Sequence, residues 1–580
     1  MKKNKYILFG CFSFNLCIFL LLCILGNPVF ATNDDYRMRL IISGSYTGIP
    51  SCEAVFISSI LAGIIAGLYK IFPQIEWYGF FTMFSMFIPV WICEFVFLKR
   101  TKNLKELIER IGIIIVFTVL ILQKHILLPQ FTITAAFWSM LAMTAIIETF
   151  NIYNESEKIK VPWIVLSLIS AFLGCLVRKK VFYMCIPMLI LFIIVVWSKY
   201  KNFPRKIIYA LGASIIGIVL ITESSFLILN EKAGYKNFSE FNKVRSDVYD
   251  YNEIPMFYEN EQFFNELGID EAAWNNLKNR TFDISDSLNT KNMAEVAVYA
   301  DTLNNNTIIP KIWNAIDQIR LIFTGKTTFF QLLGIVIILC AIFLNNSWEM
   351  QRKLKKLVAS YLIYIILAAC VISFSGRIMD RIIESLLLFF IGAVFACSSN
   401  SIQITESEWI KIWKVSITNR CMFNIGTMIL SILIMVANQY TLQRDSTAVR
   451  SIVTEKSECI AVLTNYMKDK KDDFLFYNTL DFIAGSEKVF TDRHNEELNI
   501  DSLGNWNVFS PNYYKRNNKY GFSSAIQGFT ERNNVYYAEI GDFHANINSE
   551  LEKRGVSLVW IDKIEMGMNT IHIYRTEPLK

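Results

Sequence analysis

The stretch "TNDDYRMR", residues 32–39, brings two adjacent carboxylates, Asp34 and Asp35, into an otherwise apolar part of the chain, with Arg37 and Arg39 just behind them. A carboxylate held beside a hydroxyl can take its proton as a general base. Arg178, Lys179 and Lys180 in "GCLVRKKVFYM", and Arg377 and Arg381 in "SFSGRIMDRIIE", could supply the opposite charge. Arginine in particular grips phosphate oxygens bidentately. A base and a phosphate clamp on opposite sides of an anomeric carbon would give in-line displacement with inversion, the cations stabilising charge on the departing phosphate. Glu223 in "VLITESSFLIL", Arg37 and His125 are read as lining the same cavity. Simpler fates are an aspartate paired with Arg37 or Arg39, and Arg377 or Arg381 paired with Asp380 or Glu384. Tyr249, Tyr251, Phe257, Tyr258 and Trp274 are read as a loop's own core or an aromatic belt rather than a sugar platform.

These residues must be positioned by helices. The chain has 580 residues, 53% of them hydrophobic and only 19% charged. Apolar runs recur at the length needed to cross roughly 30 Å of hydrocarbon. The expected fold is therefore a polytopic all-α membrane protein. Most of the 12 cysteines lie in or beside these runs, where they act as small apolar residues. The chain contains no CxxC or HExxH motif, and with four histidines a histidine-rich metal site is not expected. The opening "MKKNKYILFGCFSFNLCIFLLLCILGNPVFA" has an apolar part of about 20 residues, longer than a secretory signal core, so a retained anchor is expected.

Taken at face value, the runs give about twelve spans and place all four basic loops outside, against the positive-inside bias. Those loops are 99–110, 198–206, 345–356 and 410–420. Removing one span before residue 99 puts them all inside. The weakest candidate is "CEAVFISSILAGIIAGLYKIF" (52–72), rich in small residues and flanked by Glu53, Lys70 and Pro73. It is read as an interfacial or re-entrant helix, which leaves about eleven spans. These lie near 7–25, 78–98, 108–125, 130–150, 161–177, 181–198, 207–229, 327–344, 356–374, 378–397 and 421–440. The N-terminus is then cytoplasmic. A transmembrane domain occupies 1–440, with a first outer loop at 26–77 and a large outer loop of short helices at 230–326. An extracytoplasmic α/β domain occupies 441–580, with strands expected at "FLFYN", "NVYYAEI", "VSLVWIDKI" and "NTIHIYR".

Three stretches resemble the GT-C superfamily of integral-membrane glycosyltransferases, which use polyprenyl-phosphate sugars as donors. They are the acidic pair in "NDDY" (33–36), the small-residue helix in "GIIAGLYKIFPQIEWYG" (63–79) and the basic turn in "FLGCLVRKKVFYMCIPMLILF" (172–192). The resemblance implies transfer of one sugar to a cell-surface glycan on the outer face of a bacterial cytoplasmic membrane, with Asp35 slightly favoured over Asp34 as base. The first loop lacks a DxD or ExD, so no cofactor is expected and metal-dependent chemistry is not favoured. The partners are the lipid donor, the glycan acceptor and the bilayer, not nucleic acid. Two other classes remain open. An O-antigen-type polymerase or ligase would rely on Arg377, Arg381 and His125. A flippase or transporter would place its ionisable residues mid-membrane, where Glu223 is the one acid well inside an apolar run.

Overall fold

A computed structural model describes residues 2–102, 104–196, 203–305, 312–313, 315–320, 326–345, 348–374, 378–399, 459–478, 480, 488–490, 497–566 and 569–579. The chain is a mostly helical, polytopic membrane protein with a small C-terminal α/β domain. Among the described residues, 7 helices are long and apolar enough to cross a membrane by length and composition.

The bundle begins with α1 (Lys2–Gly26), α2 (Asn33–Ser43), α3 (Ser59–Ile71) and α4 (Trp77–Leu98). At 13 residues α3 is only about 20 Å long, too short to cross. A helix α5 (Leu104–Phe117) runs through a π turn (Thr118–Leu122) into α6 (Gln123–Leu127), and α7 is Phe131–Ser156. The next helical run, α8 (Val161–Val196), is followed by α9 (Arg205–Asn230).

The 36 residues of α8 would reach about 54 Å if straight, but at Arg178 the backbone leaves the helical region (φ −156°, ψ 93°). The two halves fold back on each other. Both Gly174 and Cys185 meet Ser139 of α7: a Cβ on Gly174 would lie 2.8 Å from the Ser139 hydroxyl, and Cys185 Sγ is 4.0 Å from its carbonyl. At the far end of α7, Phe192 packs against Phe150 and Trp163 lies over Lys99, which pairs with Glu148. The expected spans 161–177 and 181–198 are thus the arms of a hairpin with Arg178 at its tip. The span expected at 421–440 lies outside the described residues.

The two ends of the bundle carry different sequence. Lys3, which donates to the Thr101 carbonyl, and Lys99 and Arg100, which pair with Glu148, gather at one end. Phe203, stacked on Phe150 at 4.1 Å, joins them. Asp35, Tyr78, Phe131 and Arg178 lie at the other. Exclusion of 52–72 from the span count therefore matches a geometry in which α4 alone carries the chain from the first loop to the 99–102 turn.

The segment expected to be the large outer loop folds into short helices: α10 (Tyr235–Ser246), a π turn (Asp247–Tyr251), α11 (Glu261–Glu266), α12 (Glu271–Lys278) and α13 (Thr290–Asn305). Its aromatics form their own core. Phe257, Phe264 and Trp274 are buried together, the Trp274 indole donates to the Pro255 carbonyl at 2.9 Å, and the Tyr249 hydroxyl donates to that of Leu277 at 2.6 Å. Three further apolar helices follow, α14 (Lys326–Asn345), α15 (Trp348–Phe374) and α16 (Asp380–Ser398), the last two among those long enough to cross.

The C-terminal domain holds a five-stranded sheet in the order β2-β1-β3-β5-β4. Its strands are β1 (Phe474–Tyr477), β2 (Ile500–Ser502), β3 (Val535–Glu539), β4 (Val556–Met566) and β5 (Asn569–Pro578). Strand β1 pairs in parallel with β2 and β3, whereas β5 pairs antiparallel with β3 and β4. The unbroken apolar run of β1 reflects burial on both faces. Leu475 and Tyr477 join the core shared with the bundle, while Phe474 and Phe476 pack under α18 (Ala525–Glu531) and α19 (His544–Glu552). Helix α17 (Pro511–Lys519) supplies Arg516, a fully buried guanidinium.

Asp501 docks this domain on the first loop. It pairs with Arg37 at 3.0 Å and with Arg516, and accepts from the Tyr46 hydroxyl at 3.0 Å. Burial works against its charge, but the Arg516 and Arg37 guanidiniums hold the carboxyl below the ordinary range. Arg37, expected to line a substrate cavity, is thus committed to this buried network. Gly504, at φ +65°, lies so close to the Arg280 carbonyl that a Cβ would sit 1.3 Å from its oxygen. Only glycine lets the domain meet the outer loop there. Among the described residues no disulfide joins two cysteines.

The separation of the two ends predicts a labelling pattern. In intact cells a membrane-impermeant maleimide should modify a cysteine introduced at Glu53, and one introduced at Lys102 only after permeabilisation. Labelling of both positions from the same side would contradict the proposed parity.

Candidate active site

Asp35 is the third residue of α2 and is completely buried. Its carboxylate accepts the Thr32 hydroxyl at 2.7 Å, the Tyr78 hydroxyl at 2.9 Å and the Phe131 backbone N–H at 3.0 Å. The last is one of the donors left without an intrahelical partner at the start of α7. One side chain therefore ties α2 to α4 and caps α7. Burial pushes its pKa up to about 7 against the pull of the Thr32 and Tyr78 hydroxyls.

Asp34, one residue earlier, is half-buried and makes no hydrogen bond or ion pair among the described residues. Its electrostatic neighbours are Arg381, Arg178, Arg245 and Asp250. Burial raises the Asp34 pKa, while the three guanidiniums pull it back. Each arginine arrives on a different element. Arg178 is the hairpin tip, with its guanidinium over the Phe131 ring at 5.0 Å and the Phe56 ring at 5.5 Å. Arg381 lies in the first turn of α16 and Arg245 in the last turn of α10, where its Nε donates to Asn242 at 3.0 Å. Arg178 also feels the like charge of Arg381. Like charges converging at the mouth of a bundle favour an anion between them.

The other residues singled out in the sequence go elsewhere. Lys179 pairs with Glu223 at 2.7 Å, and the Tyr183 hydroxyl donates to the same carboxylate at 2.5 Å. Two residues assigned separately, one to phosphate and one to the cavity wall, thus satisfy each other. Lys180 is exposed beside Arg178. His125 is buried, 3.4 Å from the Gln331 amide and edge-on to Phe137, so it is packed inside the bundle rather than in the arginine cluster. Glu384 pairs with Lys124, not with an arginine of its own helix. Arg377 lies outside the described residues. Arg245 escaped sequence reading because it stands in "FNKVRSDVYDY", an acidic, aromatic stretch that reads as a solvated loop.

Among the described residues one group has metal-ligand types close together: Glu539 at the end of β3, Asp542 in the loop after it and His544 at the start of α19. Its Glu539–His544 contact of 2.5 Å serves as a buried acid's hydrogen bond. It belongs to the C-terminal domain and contributes nothing to the Asp34 cluster.

No family model and no curated protein matches the chain. Two solved structures align along almost its full length: ArnT from Cupriavidus metallidurans in the apo state, and ArnT from the same organism bound to undecaprenyl phosphate. Each alignment covers 97% of this chain, and 97% and 98% of the respective ArnT chains, at 9% identity and a TM-score of 0.38. A likeness that low assigns no activity, so the chemistry rests on the residues themselves.

The two aspartates should separate by stability. Asp35→Ala leaves the Tyr78 hydroxyl and the Phe131 N–H without an acceptor, each costing about 1–3 kcal/mol when buried. A clear drop in Tm is expected for Asp35→Ala in detergent, and little change for Asp34→Ala. Equal losses would show that Asp34 is also structural.

Proposed function

We propose that this chain is a GT-C-type glycosyltransferase that moves a sugar from a polyprenyl phosphate to a cell-surface glycan at the outer face of a bacterial cytoplasmic membrane. The observation that carries this reading is Asp34, a carboxylate free of bonded partners among three arginines brought from α8, α10 and α16. In this reading the N-terminus and the 99–102 turn face the cytoplasm, and the C-terminal domain lies outside with the site.

Asp34 takes the proton of an acceptor hydroxyl as that oxygen bonds to the anomeric carbon. The bond from that carbon to the phosphate oxygen breaks, and its electron pair leaves with the lipid phosphate. Arg178, Arg245 and Arg381 receive that charge, and the anomeric centre inverts. A raised pKa makes Asp34 a stronger base than an exposed aspartate. Asp35 holds the backbone that presents it. An arginine-and-histidine polymerase mechanism fits less well, because His125 is buried against Gln331 and Phe137.

Asp34→Asn should lower transfer by about 10²–10⁴-fold, the usual contribution of a general base. The readout is mass spectrometry of the surface glycan in a deletion strain complemented with each variant at matched protein levels. A sugar lost in the deletion and retained at wild-type levels in Asp34→Asn would exclude Asp34 as base. The acidic limb of the pH–rate profile gives a second check. Transfer requires the ionised base, so the rate rises with pH through the Asp34 pKa. Arg245 lowers that pKa, so Arg245→Gln should move the limb to higher pH. A shift to lower pH, or none, would remove Arg245 from the site.

A further inference from the structure

The aromatics that follow α9 do not share one fate. Tyr249, Phe257 and Trp274 pack into that segment's own core, and the Tyr258 hydroxyl donates to Glu271. Tyr251 is different. It is 52% exposed, and among the described residues its ring and hydroxyl have no stacked or hydrogen-bonded partner. A large aromatic side chain left open and unpaired beside charged groups is available to a ligand.

Its place in the fold says which ligand. Tyr251 closes the π turn that runs on from α10, six residues after Arg245. Single π turns recur at functional sites. This one is braced at both ends: the Ser246 hydroxyl donates to Asp250 at 2.8 Å, and the Asn252 amide donates to the Asp247 carbonyl at 3.0 Å. Its last two residues stand beside the two halves of the site. Asp250 is an electrostatic neighbour of Asp34 and Arg245, and Tyr251 of Arg178. The turn thus runs from the assigned base to the assigned phosphate clamp. In an in-line transfer the anomeric carbon lies between those two groups, so the sugar ring lies along the turn.

We infer that Tyr251 is the wall on which the transferred sugar rests, its ring packed against the apolar C–H face of the donor's pyranose. It is a specificity-determining residue, and the sequence's reading of it as core or aromatic belt is replaced. The inference rests on the glycosyl-transfer reading above. The donor's sugar is favoured over the acceptor's because Arg178 is assigned to the donor phosphate, and the sugar is bonded directly to that phosphate. The hydroxyl is not required, since the ring face makes the contact.

Two measurements test this together. The first is the surface glycan by mass spectrometry in a deletion strain complemented with wild type, Tyr251→Ala, Tyr251→Phe or Asp34→Asn at matched protein levels. The second is binding of undecaprenyl phosphate, which carries no sugar, to the purified full chain in nanodiscs. Tyr251→Ala should lower transfer about tenfold or more, Tyr251→Phe should stay within about twofold of wild type, and Tyr251→Ala should bind the sugar-free lipid as wild type does. Wild-type transfer by Tyr251→Ala would return the residue to the aromatic belt. Equal losses in Tyr251→Phe and Tyr251→Ala would assign the effect to the hydroxyl, and lost lipid binding in Tyr251→Ala would assign it to the phosphate clamp or to folding; each overturns the wall. If Tyr251→Ala loses transfer while Asp34→Asn keeps it, the wall stands and the assigned base falls. A deletion that removes no sugar, or a wild type that binds no undecaprenyl phosphate, would remove the transfer reading and the wall with it.

Discussion

The buried carboxylate of Asp35 is the constraint on which the proposed site depends. Three donors from three separate stretches of chain converge on it, and none has another acceptor in these contacts. By capping α7 it fixes Phe131, and the Phe131 ring is half of the surface on which Arg178 rests. By holding the first turn of α2 it turns Asp34, its neighbour, toward the arginines. Adjacent residues on a helix point about 100° apart, so one acid can be spent on structure while the next faces the cavity.

A second anchor works at a distance. Asp501 gathers Arg37, Arg516 and Tyr46 into a buried network, so the first loop is clamped between the bundle and the C-terminal domain. Removing one partner from such a network costs about 3–5 kcal/mol, because a buried charge is left without its counterion. The outer loop is held from the other side by the close approach at Gly504. Arg245 reaches the site from that loop, so the positions of the arginines depend on both anchors.

Much of the framework was legible in the sequence because membrane helices and buried strands leave strong patterns. Hydropathy with the positive-inside bias demoted 52–72, and α3 is indeed too short to span. Four of the strands coincide with apolar or alternating runs, whereas β2, of only 3 residues, leaves no periodicity to detect. Side-chain pairing was far less legible. Nothing in "GCLVRKKVFYM" says that Lys179 turns to Glu223 while Arg178 turns to the mouth, since that choice is made by the break in the helix between them. Arg37 and Asp501 are separated by more than four hundred residues, and no local pattern links them. Arg245 was hidden for the same reason: its role comes from where α10 docks, not from its neighbours in sequence.

The most direct measurement is a structure of the chain with a polyprenyl phosphate bound in nanodiscs. The account predicts phosphate density contacted by Arg178, Arg245 and Arg381, with Asp34 facing the space beside it and Asp35 still bonded to Tyr78 and Phe131. Phosphate seated instead on Lys179 and Lys180, with Asp34 turned away or paired to an arginine, would contradict it.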